Sequence, residues 1–381
     1  MNNLNREKIR ILHCMQMVGS GGVEQRRLSL ARGLSRSRYE QRLICTKAFG
    51  GLPPQFAAAN CRIDQVGVFK HIFDSERYRA AIRTVRQFRP HIIHGAVYEG
   101  VALAVVAGQL GRVPVIIGEE TSDPVNRRIK GHLLYRLLAG LTHHMVGVSP
   151  AVVDYLVHQI HLPARKVSLI NNGVQEKVPA SADQIALVRT QFGVEGKDLV
   201  IGTVGRLFDS YKRVSDLIRA LVLVRENFLN THLLIVGDGP DRASLEQLAS
   251  ELGVKSFVHF AGYQSDPQPF YAVMDIFALA SASEAFGLVL VEAMFAALPV
   301  VATRVGGIPS IVVEGETGAL VAPFEPRQLA DELLKLAANE ARRHAMGERA
   351  RERARAEFSA ERYVSDVDRL YQRLLAQGGL R

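Results

Sequence analysis

Between Asp275 and Gly307 the sequence leaves little freedom of fold. Ile276 to Ala280 is a short apolar run, the pattern of a buried strand. A turn rich in Ser and Gly follows. Leu288 to Ala297 is apolar without Gly or Pro, which predicts a buried helix. Pro299 to Ala302 predicts another short strand. Strand, turn, helix, strand at this spacing is a crossover unit of a parallel sheet. Two carboxylates stand inside it, Glu284 before the helix and Glu292 within it. A carboxylate in an apolar helix is costly unless something satisfies it. The turn entering the helix offers free backbone N–H groups, a ready anion site. The stretch therefore predicts a helix N-terminus facing a phosphate, flanked by two acceptors for hydroxyl groups.

The same alternation runs along the chain. Ile9 to Met15 predicts a first strand, Gly19-Ser-Gly-Gly a tight turn, and Gln25 to Leu34 an amphipathic helix. The glycines do not form the dinucleotide fingerprint. Gln41 to Thr46 and Ile63 to Gly67 predict strands, with Gly50-Gly-Leu-Pro-Pro closing the region between them. Asp74 to Phe88 has helical spacing and carries Arg77, Arg79, Arg83 and Arg86, with Arg89 just beyond. Further strands are expected at Pro90–Gly95, Val113–Glu120 and His144–Ser149, with a buried helix from Val101 to Leu110. Ser149 before Pro150 reads as a helix N-cap. In the second half, strands are expected at Val200–Leu207, Leu233–Gly237, Val258–Tyr263 and Thr317–Pro323, and helices at Val214–Leu229, Ala341–Glu357 and Phe358–Leu375. Strands alternating with helices predict an α/β chain with parallel sheets, and 381 residues suffice for two domains.

Cys14, Cys45 and Cys61 are far apart and lack metal-ligand spacing, the pattern of reduced structural thiols. The run after Arg6, Lys8 and Arg10 is too polar and short for a secretory signal. No apolar run approaches a membrane span. The net charge of +9 is uneven. Residues 1–170 hold 24 Lys and Arg against 11 Asp and Glu, and the remainder hold 23 against 27. A basic half joined to a mildly acidic half fits two domains with different partners. The basic half suits anionic lipid, a pyrophosphate-linked acceptor or nucleic acid. Nucleic acid is not expected, because no helix-turn-helix, zinc or aromatic-rich RNA motif accompanies the charge.

Ser-Glu284-Ala-Phe-Gly287-Leu-Val-Leu-Val-Glu292-Ala-Met closely resembles the Glu-x7-Glu signature of retaining family-4 glycosyltransferases. Gly205-Arg206-Leu, with Lys212 after it, resembles the family's Gly-Arg-Leu…Lys motif in a loop one residue longer, so Lys212 and Arg213 both stand as candidates for its lysine. Pro90-His-Ile-Ile-His94 resembles the segment that ends in the family's histidine. Lys166 to Val174 resembles its Ile-x-Asn-Gly-Val linker. The resemblance implies the GT-B architecture, two Rossmann-like parallel-sheet domains facing a central cleft. Residues 1–173 would form the acceptor domain, with 361–381 crossing back to it, and 174–360 the nucleotide-sugar donor domain.

The resemblance also implies roles. Arg206, Lys212 and Glu284 are the catalytic candidates, with the two cations gripping the donor diphosphate. Gly262 and Tyr263 would meet the base, Phe286, Gly287 and Leu288 the phosphate or sugar, and Glu292 the ribose. Gly21 and Gly22 would approach donor phosphates. His94 is a candidate contact to sugar or acceptor. So are Glu119 and Glu120, which stand where many relatives carry a histidine. No metal or other cofactor is expected, since the cations replace it. The implied reaction is retaining transfer from a nucleotide sugar, UDP-sugar before GDP-mannose, to a glycan or lipid-linked acceptor. Lipopolysaccharide, capsule or other envelope glycan synthesis is the implied setting, in the cytoplasm or at the inner membrane face. A GT-B epimerase or glycan phosphorylase is the alternative, ahead of a non-enzymatic binder.

Overall fold

The computed structural model describes residues 7–19, 21–69, 74–122 and 129–377. The chain divides into two compact units. One is Met1–Gln175 with Ala360–Arg381, and the other is Glu176–Ser359.

The first unit is built on β1 (Ile9–Cys14), β2 (Tyr39–Cys45), β3 (Cys61–Gln65), β4 (Ile92–Ala96), β5 (Val115–Glu120), β6 (His144–Gly147) and β7 (Val167–Leu169). They pair in the order β3-β2-β1-β4-β5-β6-β7, all parallel. The second unit is built on β8 (Leu199–Val204), β9 (Thr231–Val236), β10 (Val258–Gly262), β11 (Ile276–Leu279), β12 (Val300–Thr303) and β13 (Gly318–Val321), in the order β10-β9-β8-β11-β12-β13. Its pairs are parallel too. Both sheets share one topology, the Rossmann order, in which the direction of strand succession reverses beside the first strand. Helices cover both faces of such a sheet, so its strands read as apolar runs. Ile276, Phe277, Val300 and Val301 are accordingly closed to solvent. Ligands of open α/β sheets gather at the carboxyl ends of the strands where the order reverses. In the second unit that point lies after Val204 and Leu279.

Two readings change. Lys166–Val174 contributes β7, an edge strand pairing Met145 with Val167, as well as the exit from the unit. Pro53 and Pro54 open a helix, Leu52–Ala58, instead of closing a turn. Proline is tolerated in a first turn because amides there have no partner within the helix. Ser20 of the glycine turn lies outside the described residues.

After the Glu340–Phe358 helix, Ser359 is extended and the Ala360–Gln377 helix begins. That last helix buries Tyr363, Val367, Leu370 and Tyr371 against Ile11, Ile92, Val115 and Ile117 of the first sheet. Each such side chain contributes about 1.5–3 kcal/mol. In the second unit, Gly237 has φ +140°, and a Cβ there would fall 1.8 Å from the Gly205 carbonyl oxygen. Gly237→Ala is expected to cost about 3 kcal/mol, combining backbone strain with overpacking. An unchanged denaturation midpoint would contradict that packing.

Candidate active site

The loop after β8 is fixed before it reaches any ligand. Gly205 donates its N–H to the Val236 carbonyl at 2.9 Å, and Leu207 donates to the Asp238 carbonyl at 3.0 Å. Asp209 opens a single helical turn, Asp209–Lys212. Its carboxylate accepts from the Ser215 N–H at 2.8 Å, while its own N–H donates to Asp241 at 2.6 Å. The loop after β11 joins it, with the Ala282 N–H donating to the Tyr211 carbonyl at 2.8 Å. This brings the Lys212 ammonium onto the Glu284 carboxylate as an ion pair. The Glu284 carbonyl also accepts from the Gly307 N–H at 2.8 Å.

Lys212 and Arg213 are used differently. Arg213 takes a left-handed backbone, φ +51°, and its guanidinium grips Asp216 through two bonds of 2.9 and 2.8 Å. The Arg206 side chain is exposed beside the Phe208 ring, 5.8 Å from its centroid, and among the described residues its guanidinium has no hydrogen bond or ion pair.

Gly287, at φ +104°, caps the Leu288–Phe295 helix without a side-chain acceptor; the Leu290 N–H turns back to the Gly287 carbonyl at 3.0 Å, and no side chain caps the amides ahead of it. Phe286 is buried, its ring meeting Phe358 edge-on at 5.8 Å. That packing aims the Phe286 side chain inward. Leu288 is partly buried. One turn into the helix, Glu292 accepts from the Tyr271 hydroxyl at 2.9 Å. Burial raises the Glu292 carboxyl above its ordinary value. Burial, with Glu292 beside it, raises the Tyr271 phenol, which stays protonated as a donor. Across the sheet, Gly262 turns with φ +68° and accepts from the Gly237 N–H at 2.8 Å, leaving Tyr263 exposed.

The first unit holds its candidates in another state. Gly21 is the N-cap of the Gly22–Gly33 helix, and the Glu24 carboxylate folds back against it, where a Cβ on Gly21 would meet its oxygens. Glu119, Glu120 and His94 are all buried. Glu119 is held by Arg26 at 2.6 Å and Arg27 at 2.7 Å. Arg27 also bonds Nδ1 of His94 at 3.0 Å and of His13 at 3.3 Å, and the Tyr371 hydroxyl lies 2.7 Å from His94 Nδ1. Glu120 turns to the Thr121 and Ser122 amides, 3.1 and 3.0 Å away. The carboxylate thus sits between two guanidinium groups of the first helix, and His94 beside it carries the bond to Tyr371 of the last helix.

Burial alone would raise the Glu119 carboxyl, but Arg26 and Arg27 hold it well below the usual range. Burial, then Arg27, lowers His13 far below its ordinary value and His94 to about 4. The folded unit therefore keeps both imidazoles neutral. Unfolded histidine titrates near 6.5, so below about pH 6.5 the unfolded chain binds protons that the fold refuses. Stability is expected to fall as pH drops through that window toward 4, by about 1.4 kcal/mol per pH unit for each imidazole. Thermal midpoints measured from pH 7 to pH 5 check this, and a flat or rising series contradicts it.

Sequence reasoning missed Arg26, Arg27, Tyr271 and Tyr371. Arg26 and Arg27 carry a faint signal, two cations beside the apolar positions Leu28, Leu30 and Ala31. Nothing local connects them to an acid on another strand.

Two family models match the chain in succession. Glycosyl transferase 4-like domain matches residues 21–173, and Glycosyl transferases group 1 matches residues 185–353. The chain is 32% identical over 231 residues to N-acetyl-alpha-D-glucosaminyl L-malate synthase of Bacillus anthracis, covering 61% of this chain and 60% of that protein. It is 33% identical to D-inositol 3-phosphate glycosyltransferase of Corynebacterium glutamicum, covering 58% and 55%. Against the lipopolysaccharide core biosynthesis glycosyltransferase LpsE of Rhizobium meliloti, identity is 32%, covering 50% and 54%. The matches thus span little more than half the length of these relatives. Among solved structures, Anabaena HepE in complex with UDP and glucose superposes with TM-score 0.84 at 22% identity, covering 96% of this chain and 99% of that one. WaaG, a glycosyltransferase of lipopolysaccharide biosynthesis, superposes with TM-score 0.74 at 20% identity, covering 94% and 98%. At such identities the likeness concerns the fold, which is the GT-B pair of Rossmann-like domains.

Proposed function

The chain belongs to the glycosyl transferases group 1 family, and from that premise we propose that it moves a sugar from a nucleotide sugar to an acceptor hydroxyl, with retention at the anomeric carbon. The observation that carries this reading is the Lys212–Glu284 pair at the switch point of the second sheet. The Arg206 guanidinium is exposed on the same loop, and a helix N-terminus without a side-chain cap follows Glu284. As the sugar leaves, negative charge grows on the diphosphate. Arg206 and Lys212 stabilise it, the part a divalent ion takes in other transferases. Lys212 takes this role before Arg213, which Asp216 already holds.

Glu284 fixes the ammonium and reaches the sugar. The Phe286, Gly287 and Leu288 backbone meets phosphate or sugar. Glu292, steadied by Tyr271, accepts from ribose hydroxyls, and the Gly262–Tyr263 turn meets the base. UDP-sugar is the favoured donor, GDP-mannose the second. Relatives named for lipopolysaccharide core and for anionic small-molecule acceptors support an envelope-glycan or anionic acceptor, which suits the basic first half. Work at the inner membrane face is part of the proposal. No helix among the described residues is long and apolar enough to cross a membrane.

A thermal-shift panel of UDP, GDP, ADP and their sugar conjugates tests this. A ligand confined to the native state adds about 2.7 kcal/mol of apparent stability at a hundredfold excess over Kd. One base class should shift the melt, and Arg206→Ala should abolish the shift. Silence across the whole panel would overturn the reading. A GT-B epimerase would release no glycosylated acceptor, and a phosphorylase would require phosphate or sugar phosphate.

A further inference from the structure

The Ile129–Leu141 helix carries leucine on two faces. Tyr135, Leu138 and Ala139 are buried against the first unit, with the Tyr135 ring stacked on Tyr98. Leu133, Leu137 and Leu141 point the other way and are 70%, 61% and 44% exposed. Spacing of four residues stacks them along one stripe, about 12 Å from first to last. Leu110 extends it at 61% exposure, because Gln109 donates to the Leu141 carbonyl at 2.8 Å and so sets the end of its own helix beside this one. A contiguous exposed apolar stripe of this kind marks an interaction surface.

The charge around it selects the partner. Arg136 is exposed between Leu133 and Leu137, and the Lys166 ammonium bonds the Gly140 carbonyl at 2.7 Å. Between Asp123 and Asp154 the sequence carries Lys and Arg and no acidic residue. A second copy docked here by twofold symmetry would set this basic surface against itself, since such an interface presents the same patch from both sides. An apolar stripe rimmed by cations, without acids, matches the boundary between anionic headgroups and acyl chains. The arginine-rich Ser75–Phe88 helix is different. Its apolar residues Ala81, Val85 and Phe88 are buried, so it offers charge with nothing to insert.

We propose that the Leu133–Leu137–Leu141 face, with Leu110 and Arg136, is the surface by which this protein docks on an anionic lipid bilayer. The proposal deepens the envelope-glycan reading and rests on it for the identity of the membrane.

Flotation of the full chain with vesicles tests it, using phosphatidylcholine alone and phosphatidylcholine with 30% phosphatidylglycerol (about a third anionic, as near cytoplasmic surfaces). The wild type should float with the anionic vesicles and not with the neutral ones. The double variant Leu133→Ser, Leu137→Ser should lose at least about tenfold of that binding, as should Arg136→Glu, with melting temperatures retained. Arg79→Gln with Arg83→Gln should leave most of the binding in place. Equal flotation of the leucine variant and the wild type overturns the proposal. So does a wild-type dimer in light scattering that the leucine substitutions dissolve without any vesicle binding, since the face would then join two copies. The nucleotide melt of the same samples separates the readings: a silent nucleotide panel with intact leucine-dependent flotation sinks the transferase reading alone.

Discussion

Lys212→Ala is expected to lower kcat by about 10²–10³-fold, the usual loss when one preorganised donor to a developing negative charge is removed. The fold should hardly notice. The Lys212–Glu284 pair is partly exposed, with 26% and 16% of the two side chains accessible. Such pairs contribute at most about 1 kcal/mol to stability. An ammonium that acts mainly on the leaving diphosphate should depress kcat and kcat/KM together, whereas uniform substrate binding would move KM alone. Glu284→Ala should also cripple turnover, because it frees the ammonium and removes the proposed sugar contact. Arg213→Ala supplies the contrast. It strips Asp216 of a two-bond partner and leaves a nearly buried carboxylate, so its effect should appear in the melt and little in the rate. Near-normal turnover by a folded Lys212→Ala protein would remove the lysine from the chemistry.

Glu119→Ala is expected to cost about 3–5 kcal/mol, the penalty for leaving buried charge without its partner. Arg26 and Arg27 are 3% and 1% exposed, so both charges lose their carboxylate partner away from solvent. In a unit of this size each kcal/mol moves the melting midpoint by about 2–4 °C, so a fall of about 6–20 °C should follow. The loss should reach the last helix, because Arg27 and Tyr371 meet at His94. Glu120→Ala, which loses bonds to the Thr121 and Ser122 amides and to the Ser122 hydroxyl, should cost less, about 1–3 kcal/mol. A Glu119→Ala melt within a degree or two of the wild type would contradict the buried network and restore the acid as a candidate ligand contact.

The placement of the candidate residues in the second unit was legible because their signals are local. Parallel strands closed on both faces read as apolar runs, and Glu284, Glu292 and Arg206 follow such runs or sit on the helix beside them. The first unit was harder for the opposite reason. Glu119 standing where relatives carry a histidine suggested a ligand contact, yet its partners lie far away in sequence, on the helix of Arg26 and Arg27. No window of sequence can show that a carboxylate is already taken. β7 escaped because three residues at a sheet edge carry no periodicity. The Leu52–Ala58 helix was hidden behind two prolines that read more readily as a turn. The Ile129–Leu141 helix has leucine on both faces, which erases the one-sided pattern that announces a surface helix. The choice between Lys212 and Arg213 was open in the sequence, and it narrows once Asp216 is seen to hold the arginine.

The most direct measurement is proton NMR of the product linkage. The nucleotide sugar selected by the melting panel would be incubated with the envelope glycolipid fraction and the wild-type protein. Retaining transfer gives free nucleotide and a new α-linkage from an α-configured donor, and both should be lost with Lys212→Ala. A β-linkage would contradict retention, and a donor that binds but is never transferred to any fraction would contradict the transferase itself.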